Sequence, residues 1–245
     1  MEIVRVKDYE EMSKTACNYM LRKVKELESP VLGLATGSTP EGLYRHLVDE
    51  YKKGNVSFKH VQTFNLDEYT KLDPTDINSY HYFMNKHLFE HIDIPKDQIH
   101  LPNGNASDLE DECHNYENKI SEAGKIDLQL LGIGINGHIG FNEPGTPFTS
   151  RTHIVTLVES TRKANSRFFP SIDDVPTHAI TMGIETIMES KEILLLVFGE
   201  MKADTLNRLT NGEVSEDFPA SILHKHPKVT IIADEAACSK LVIKS

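Results

Sequence analysis

Residues Val31 to Leu47 read VLGLATGSTPEGLYRHL, the order of one strand, one sharp turn and one helix. Val31–Ala35 is short and apolar, as a strand buried on both faces must be. Thr36-Gly37-Ser38-Thr39 is a turn. Pro40 suits the first position of a helix with Thr39 as its N-cap, and Pro40–Tyr51 continues with helical spacing. The same unit recurs along the chain. Further strands are predicted at Ile3–Val6, Val61–Asn65, Leu128–Ile133, Ile154–Leu157, Ile193–Phe198 and Val229–Ala233. Amphipathic helices are predicted at Tyr9–Leu27, Ser79–Glu90, Leu109–Ser121 and Met201–Leu209, where apolar residues return every three or four positions. Strands alternating with helices predict an α/β fold: an open, mostly parallel sheet with helices on both faces. There is no repeat, low-complexity tract or Ser/Gly-rich linker, so residues 1–245 read as one domain. Two irregular stretches, Thr70–Asn78 and Asn136–Ser150, are long enough to be functional loops.

A chain of 245 residues can bury roughly 70–75% of its unfolded surface and needs no disulfide or metal staple. Its 37 acidic and 26 basic residues leave a net charge of −11, a field that repels a phosphate backbone and excludes nucleic acid as a partner. An anionic small substrate therefore needs a local cluster of donors. The start, MEIVRVKDYEEM, lacks the apolar core of a signal peptide, and the longest apolar run, Ile193–Phe198, is too short to cross a bilayer. Cys17, Cys113 and Cys238 are odd in number and widely spaced, which fits a reducing cytoplasm.

Three loops carry candidate chemistry. In ATGSTP (Ala35–Pro40), Gly37 permits a sharp turn, and the amides of Ser38 and Thr39 at a helix start form an anion site. No P-loop Lys is present, so a phosphate monoester is favoured over a nucleoside triphosphate. A capped turn that binds nothing is the rival reading. Leu130–Gly145, LLGIGINGHIGFNEPG, contains the letters of a dinucleotide fingerprint at Gly132, Gly134 and Gly137. No helix can follow them, because Gly140, Pro144, Gly145 and Pro147 break it. What remains is a glycine-rich loop at a strand's carboxyl end, where α/β sheets bind ligands, carrying Asn136, His138, Asn142 and Glu143. A His with a nearby carboxylate suits proton transfer. No second ligand stands at metal-binding spacing, so no metal site is read here. The third loop follows VQTFNLDEY, where Asp67 and Glu68 stand past a strand among apolar neighbours that would raise a carboxylate's pKa. Adjacent residues on an extended segment point opposite ways, so at most one faces the cleft.

An anion cradle, a carbon base and an oxygen acid/base suit proton shuffling on a phosphorylated sugar. These segments, with SRTH at Ser150–His153 and ANSRFF at Ala164–Phe169, resemble the glucosamine-6-phosphate deaminases essentially from end to end. The resemblance implies a Rossmann-like fold and conversion of glucosamine 6-phosphate to fructose 6-phosphate and ammonium, with no metal or organic cofactor. It implies Asp67 as the base that moves a proton from C2 to C1. His138 opens the sugar ring, oriented by Glu143. Asn136 belongs to the ring-opening set where many members carry Asp. An amide cannot share a proton as a carboxylate does, so more of the orienting is expected of Glu143. Phosphate binding falls to Gly37, Ser38, Thr39, Arg167 and Lys202, and a lid is expected within about residues 143–170. Longer members are hexamers activated by N-acetylglucosamine 6-phosphate through basic residues after the SRT motif. His153 and Val155 stand in that stretch here, so no such activation is expected, and self-association is left open. Two rivals share the fold: a 6-phosphogluconolactonase-like hydrolase, which needs no carbon base, and a non-catalytic sugar-phosphate sensor.

Overall fold

The computed structural model describes residues 1–157, 159, 162, 163, 169 and 171–242. Its strands are β1 (Glu2–Val6), β2 (Val31–Leu34), β3 (Gln62–Asn65), β4 (Asp67–Tyr69), β5 (Ile99–His100), β6 (Leu128–Leu131), β7 (His153–Thr156), β8 (His178–Thr181), β9 (Ile193–Val197) and β10 (Val229–Asp234). The helices used below are α1 (Tyr9–Glu26), α2 (Ser38–Lys52), α3 (Tyr80–His87), α4 (Leu109–Glu122), α5 (Ile184–Met188) and α6 (Ala203–Asn211). Seven strands form one parallel sheet in the order β1-β10-β9-β6-β2-β3-β5. β2, β6, β9 and β10 are buried along their whole length, so helices must cover both faces of this sheet.

The strand order positions the site. From β2 the chain adds β3 and β5 on one side, then crosses through α4 to place β6 on the other side of β2. The crevice outside the carboxyl ends of β2 and β6 is therefore the switch point at which open α/β sheets bind ligands. Leu32 pairs with Leu128 and Gly33 with Gln129. Continued along the strands, that register brings the Gly37 turn beside the start of the glycine loop at Ile133.

Local signals explain the helices. Asp8 caps α1, accepting from the Glu11 amide at 3.0 Å, and Met12, Ala16, Met20 and Val24 form its buried stripe. Ser79 likewise caps α3 through the Tyr82 amide.

The structure corrects the sequence reading in three places. α2 begins at Ser38 rather than Pro40, and Gly37 rather than Thr39 is its N-cap; Pro40 still lies within the first turn, where a missing N–H breaks no helical bond. The strand expected at Ile154–Leu157 is β7, and it lies outside the parallel sheet. It pairs antiparallel with β8, which pairs antiparallel with β4, giving a second, three-stranded sheet. A four-residue, half-buried apolar run says that a strand exists and not which sheet it joins. β4, β5 and β8 were not predicted as strands, being two to four residues long. The stretches 70–79 and 136–150 contain no helix and no strand longer than an isolated bridge. Of the expected lid, residues 158, 160, 161, 164–168 and 170 lie outside the described residues. Among those described, no helix is long and apolar enough to cross a membrane.

Candidate active site

At the carboxyl end of β2, Gly37 has φ +95°, a conformation that a Cβ disfavours. It turns the chain so that α2 starts with its first amides facing outward, and no side chain caps them. Ser38 is exposed and Thr39 partly so. Unspent amides with the positive end of a helix dipole suit a dianionic phosphate. Across the crevice, Lys202 ends a short 3-10 turn, and its Nζ donates to the Ile133 carbonyl at 2.7 Å. Burial pushes its ammonium pKa down from the ordinary value. That hydrogen bond uses one of three donors and leaves the rest of the ammonium for an anion. Arg167, the other expected phosphate ligand, lies outside the described residues.

The glycine loop is pinned at several points. Gly134 N donates to the His138 carbonyl at 2.9 Å, Gly137 N to the Gly134 carbonyl at 3.0 Å and Ala220 N to the Gly137 carbonyl at 2.8 Å. The His138 ring lies directly on Gly134, where a Cβ would come within 2.2 Å of its Cε1. Gly134→Ala is therefore expected to displace the ring and to cost about 1–3 kcal/mol through overpacking. Thermal unfolding and initial rates check this together, and an unchanged rate would show that the ring position does not matter.

His138 is held by a chain of two partners. Asn136 Nδ2 donates to Glu143 Oε2 at 2.6 Å, and His138 Nδ1 stands 2.8 Å from Asn136 Oδ1. A carboxylate only accepts, so it fixes which end of the amide faces it. The amide oxygen therefore faces the imidazole, and Nδ1 must carry the proton. In the neutral ring the lone pair is then on Nε2. Glu143 Oε1 is 3.5 Å from Nδ1, so the close orienting contact belongs to Asn136, and Glu143 acts by holding Asn136. This reverses the share expected from the sequence, because the shorter amide lies between the other two groups.

Asp67 reaches the same crevice by a different route. After β3, Leu66 N donates to the Leu34 carbonyl at 3.0 Å, while its own carbonyl accepts from Met182 N at 2.7 Å. This one residue carries the chain from the parallel sheet into the antiparallel one. Asp67 follows as the first residue of β4, opposite Thr181 of β8. A Cβ on Gly140 would lie 3.7 Å from Asp67 Oδ2, so the glycine loop runs against this carboxyl. Asp67 is 7% exposed, and its carboxyl accepts no hydrogen bond from any described residue. Burial first, and the neighbouring Glu68 second, push its pKa up to about 8. A carboxylate so destabilised is a far stronger base than one in water.

The sequence reading did not single out the aromatic wall beside Asp67. Tyr69, Phe141, Leu157 and Ala179 form a small buried cluster of their own, with Tyr80 and Phe169 packed against it. The wall joins residues from four separate segments, so no local pattern announces it. Asn142, named as a candidate, is fully buried, and its amide donates to the Ile139 and Met182 carbonyls at 2.9 Å each. Its work is to hold the loop.

Comparison with known proteins gives a consistent result. Residues 7–232 match the family model described as glucosamine-6-phosphate isomerases/6-phosphogluconolactonase. The chain is 61% identical over 237 residues to a glucosamine-6-phosphate deaminase of Oceanobacillus iheyensis, covering 97% of this chain and 95% of that one. It is 54% identical over 239 residues to glucosamine-6-phosphate deaminase 1 of Bacillus subtilis, covering 98% and 99%. Among solved structures, a monomeric glucosamine-6-phosphate deaminase superposes with a TM-score of 0.96 at 53% identity, covering 98% of this chain and 100% of that one. The 6-phosphogluconolactonase of Thermotoga maritima superposes with a TM-score of 0.74 at 20% identity, covering 96% and 99%; that likeness speaks to the fold alone.

Proposed function

The chain belongs to the glucosamine-6-phosphate isomerase/6-phosphogluconolactonase family, and from that premise we infer that it converts glucosamine 6-phosphate to fructose 6-phosphate and ammonium. One observation carries this reading over lactone hydrolysis within the same family. The Asp67 carboxyl is buried against the glycine loop with its pKa pushed up to about 8. Hydrolysis of a lactone moves no carbon-bound hydrogen and has no use for such a base, whereas an aldose–ketose isomerisation depends on one.

The phosphate docks on the Gly37-Ser38-Thr39 turn and Lys202, with Arg167 as a further clamp, and so anchors the reacting carbons by a group that does no chemistry. His138 Nε2 takes the anomeric hydroxyl proton and returns it to the ring oxygen, opening the ring. Asn136 holds the imidazole tautomer, and the Glu143 carboxylate favours the imidazolium formed midway. Ionised Asp67 then removes the C2 proton while O1 takes a proton from the substrate's own ammonium, giving an enolamine, and the same carboxyl delivers its proton to C1. Water adds at the resulting C2 iminium, ammonia leaves and the ketose is complete. No step requires a metal or an organic cofactor.

We place the enzyme in the cytoplasm. Its cysteines, Cys17, Cys113 and Cys238, are free and buried, which supports a reducing compartment. The monomeric state of the 53% identical solved deaminase supports a chain that works without an inter-subunit effector site. Purified protein given glucosamine 6-phosphate is expected to release ammonium and fructose 6-phosphate in equal amounts, at a rate that N-acetylglucosamine 6-phosphate leaves unchanged. Absence of ammonium would refute the deaminase, and acceleration by the acetylated sugar would refute the missing effector site.

A further inference from the structure

Among the described acidic residues Glu68 is the least exposed, at 2%, and no described Lys or Arg pairs with it. Its two oxygens accept four hydrogen bonds. Oε1 accepts from the Tyr69 amide at 2.8 Å and the Tyr80 amide at 3.0 Å. Oε2 accepts from the His81 amide at 2.9 Å and from His81 Nδ1–H at 2.7 Å. Three of these donors belong to the first turn of α3, so a single carboxylate fastens β4 to α3 across the irregular stretch 70–79. Tyr80, at the start of α3, stacks on Phe141 at 6.2 Å with 10° between planes, and its hydroxyl donates to that of Tyr69 at 3.4 Å. Phe141 in turn sits in the glycine loop beside Asn142 and Glu143. The Glu68 anchor therefore sets both the strand that carries Asp67 and the wall between that strand and the ring-opening loop.

Consecutive side chains of a strand point to opposite faces, which puts Glu68 behind Asp67. Among the described residues, the other titratable groups coupled to Asp67 are Tyr80 from α3 and Tyr116 from α4, and burial holds both phenols well above their ordinary range and hence uncharged. Gly140 of the glycine loop, which lies against its carboxyl, and Thr181, its ladder partner on β8, are neutral. Among the described residues Glu68 is thus the charge that bears on Asp67, and His81, through its ring N–H, is the group that moderates it.

We propose that Glu68 is a positioning residue for the carbon proton transfer: it anchors β4 to α3 in front of the cleft, and its charge behind Asp67 sets the pH range in which Asp67 works. The proposal rests on the reading of Asp67 as the carbon base. Two substitutions act on it in opposite directions. Glu68→Gln removes the charge, so Asp67 becomes easier to ionise. His81→Ala removes the ring donor that draws off part of that charge, so Asp67 becomes harder to ionise.

The test is kcat/KM against pH for the wild type and both variants. The substrate's own ionisations are common to all three curves, so differences between curves belong to the enzyme. The acid-limb midpoint is expected to fall by about 0.5–1 pH unit in Glu68→Gln and to rise in His81→Ala. Loss of rate by one constant factor at every pH in both variants would overturn the proposal, since that is what a merely structural anchor predicts. If Glu68→Gln does not fold, His81→Ala decides alone, and an unmoved midpoint overturns it. Wild-type turnover by Asp67→Asn would overturn it by a separate route, removing the base reading on which it rests.

Discussion

Asp67→Asn is expected to bind glucosamine 6-phosphate as the wild type does and to lose turnover by about a thousandfold or more, since the amide supplies no basic lone pair for the C2 proton. The same substitution is expected to make the protein more stable, in a pH-dependent way. The Asp67 pKa rises from 3.8 to about 8 on folding. Between those values the folded chain therefore holds a proton that the unfolded chain has released, and stability falls as pH rises through that window. An amide has no such penalty. The variant should melt at a higher temperature than the wild type, by a margin that is small near pH 4 and full above pH 8. Calorimetry across that range, alongside a binding isotherm, checks the prediction. Lost turnover with lost binding, or a melting difference that ignores pH, would show that Asp67 is not a base destabilised by burial. Storing instability at a catalytic group is a common cost of a pre-organised site.

His138→Gln is expected to lower kcat/KM on the closed pyranose by about a hundredfold to ten-thousandfold, the range for removal of a general acid/base. On an analogue that is already open-chain, the loss should be much smaller, because Nε2 acts only before Asp67 does. Equal losses on the two substrates would remove the ring-opening role. Asn136→Ala is expected to resemble a mild form of His138→Gln: it leaves the imidazole without the acceptor that fixes Nδ1–H and leaves Glu143 Oε1 3.5 Å away. Partial retention of activity on the closed sugar would reflect that weaker substitute contact.

Much of this was legible in the sequence, for reasons that differ from element to element. Val31–Leu47 declares its strand, turn and helix because each depends on neighbours in sequence. α2 starts two positions before the Pro40 that its sequence favours, because Ser38, Thr39 and Pro40 are all acceptable starts and the chain turns at Gly37, whose φ is positive. The glycine loop was recognisable as a loop because the glycines and prolines that follow Gly132 forbid a helix. The geometry inside it was not, since whether Asn136 or Glu143 touches His138 depends on a fold-back of seven residues. The second sheet was invisible because β4 has three residues and its partner β8 lies more than a hundred positions away. The same distance hid how Asp67 comes to lie against Gly140. That at most one of Asp67 and Glu68 faces the cleft follows from strand geometry alone; that Glu68 is fastened to α3 requires the structure.

The central claim is that a single fixed carboxyl, Asp67, takes hydrogen from C2 and returns it to C1 on one face of the enolamine. Glucosamine 6-phosphate deuterated at C2, converted in heavy water, tests it most directly, because both sources of the returning hydrogen are then deuterium. The account predicts fructose 6-phosphate with one deuterium at C1, in one configuration, formed with an equal amount of ammonium and absent from the Asp67→Asn reaction. Deuterium shared equally between the two C1 configurations, or a product with none at C1, would contradict it.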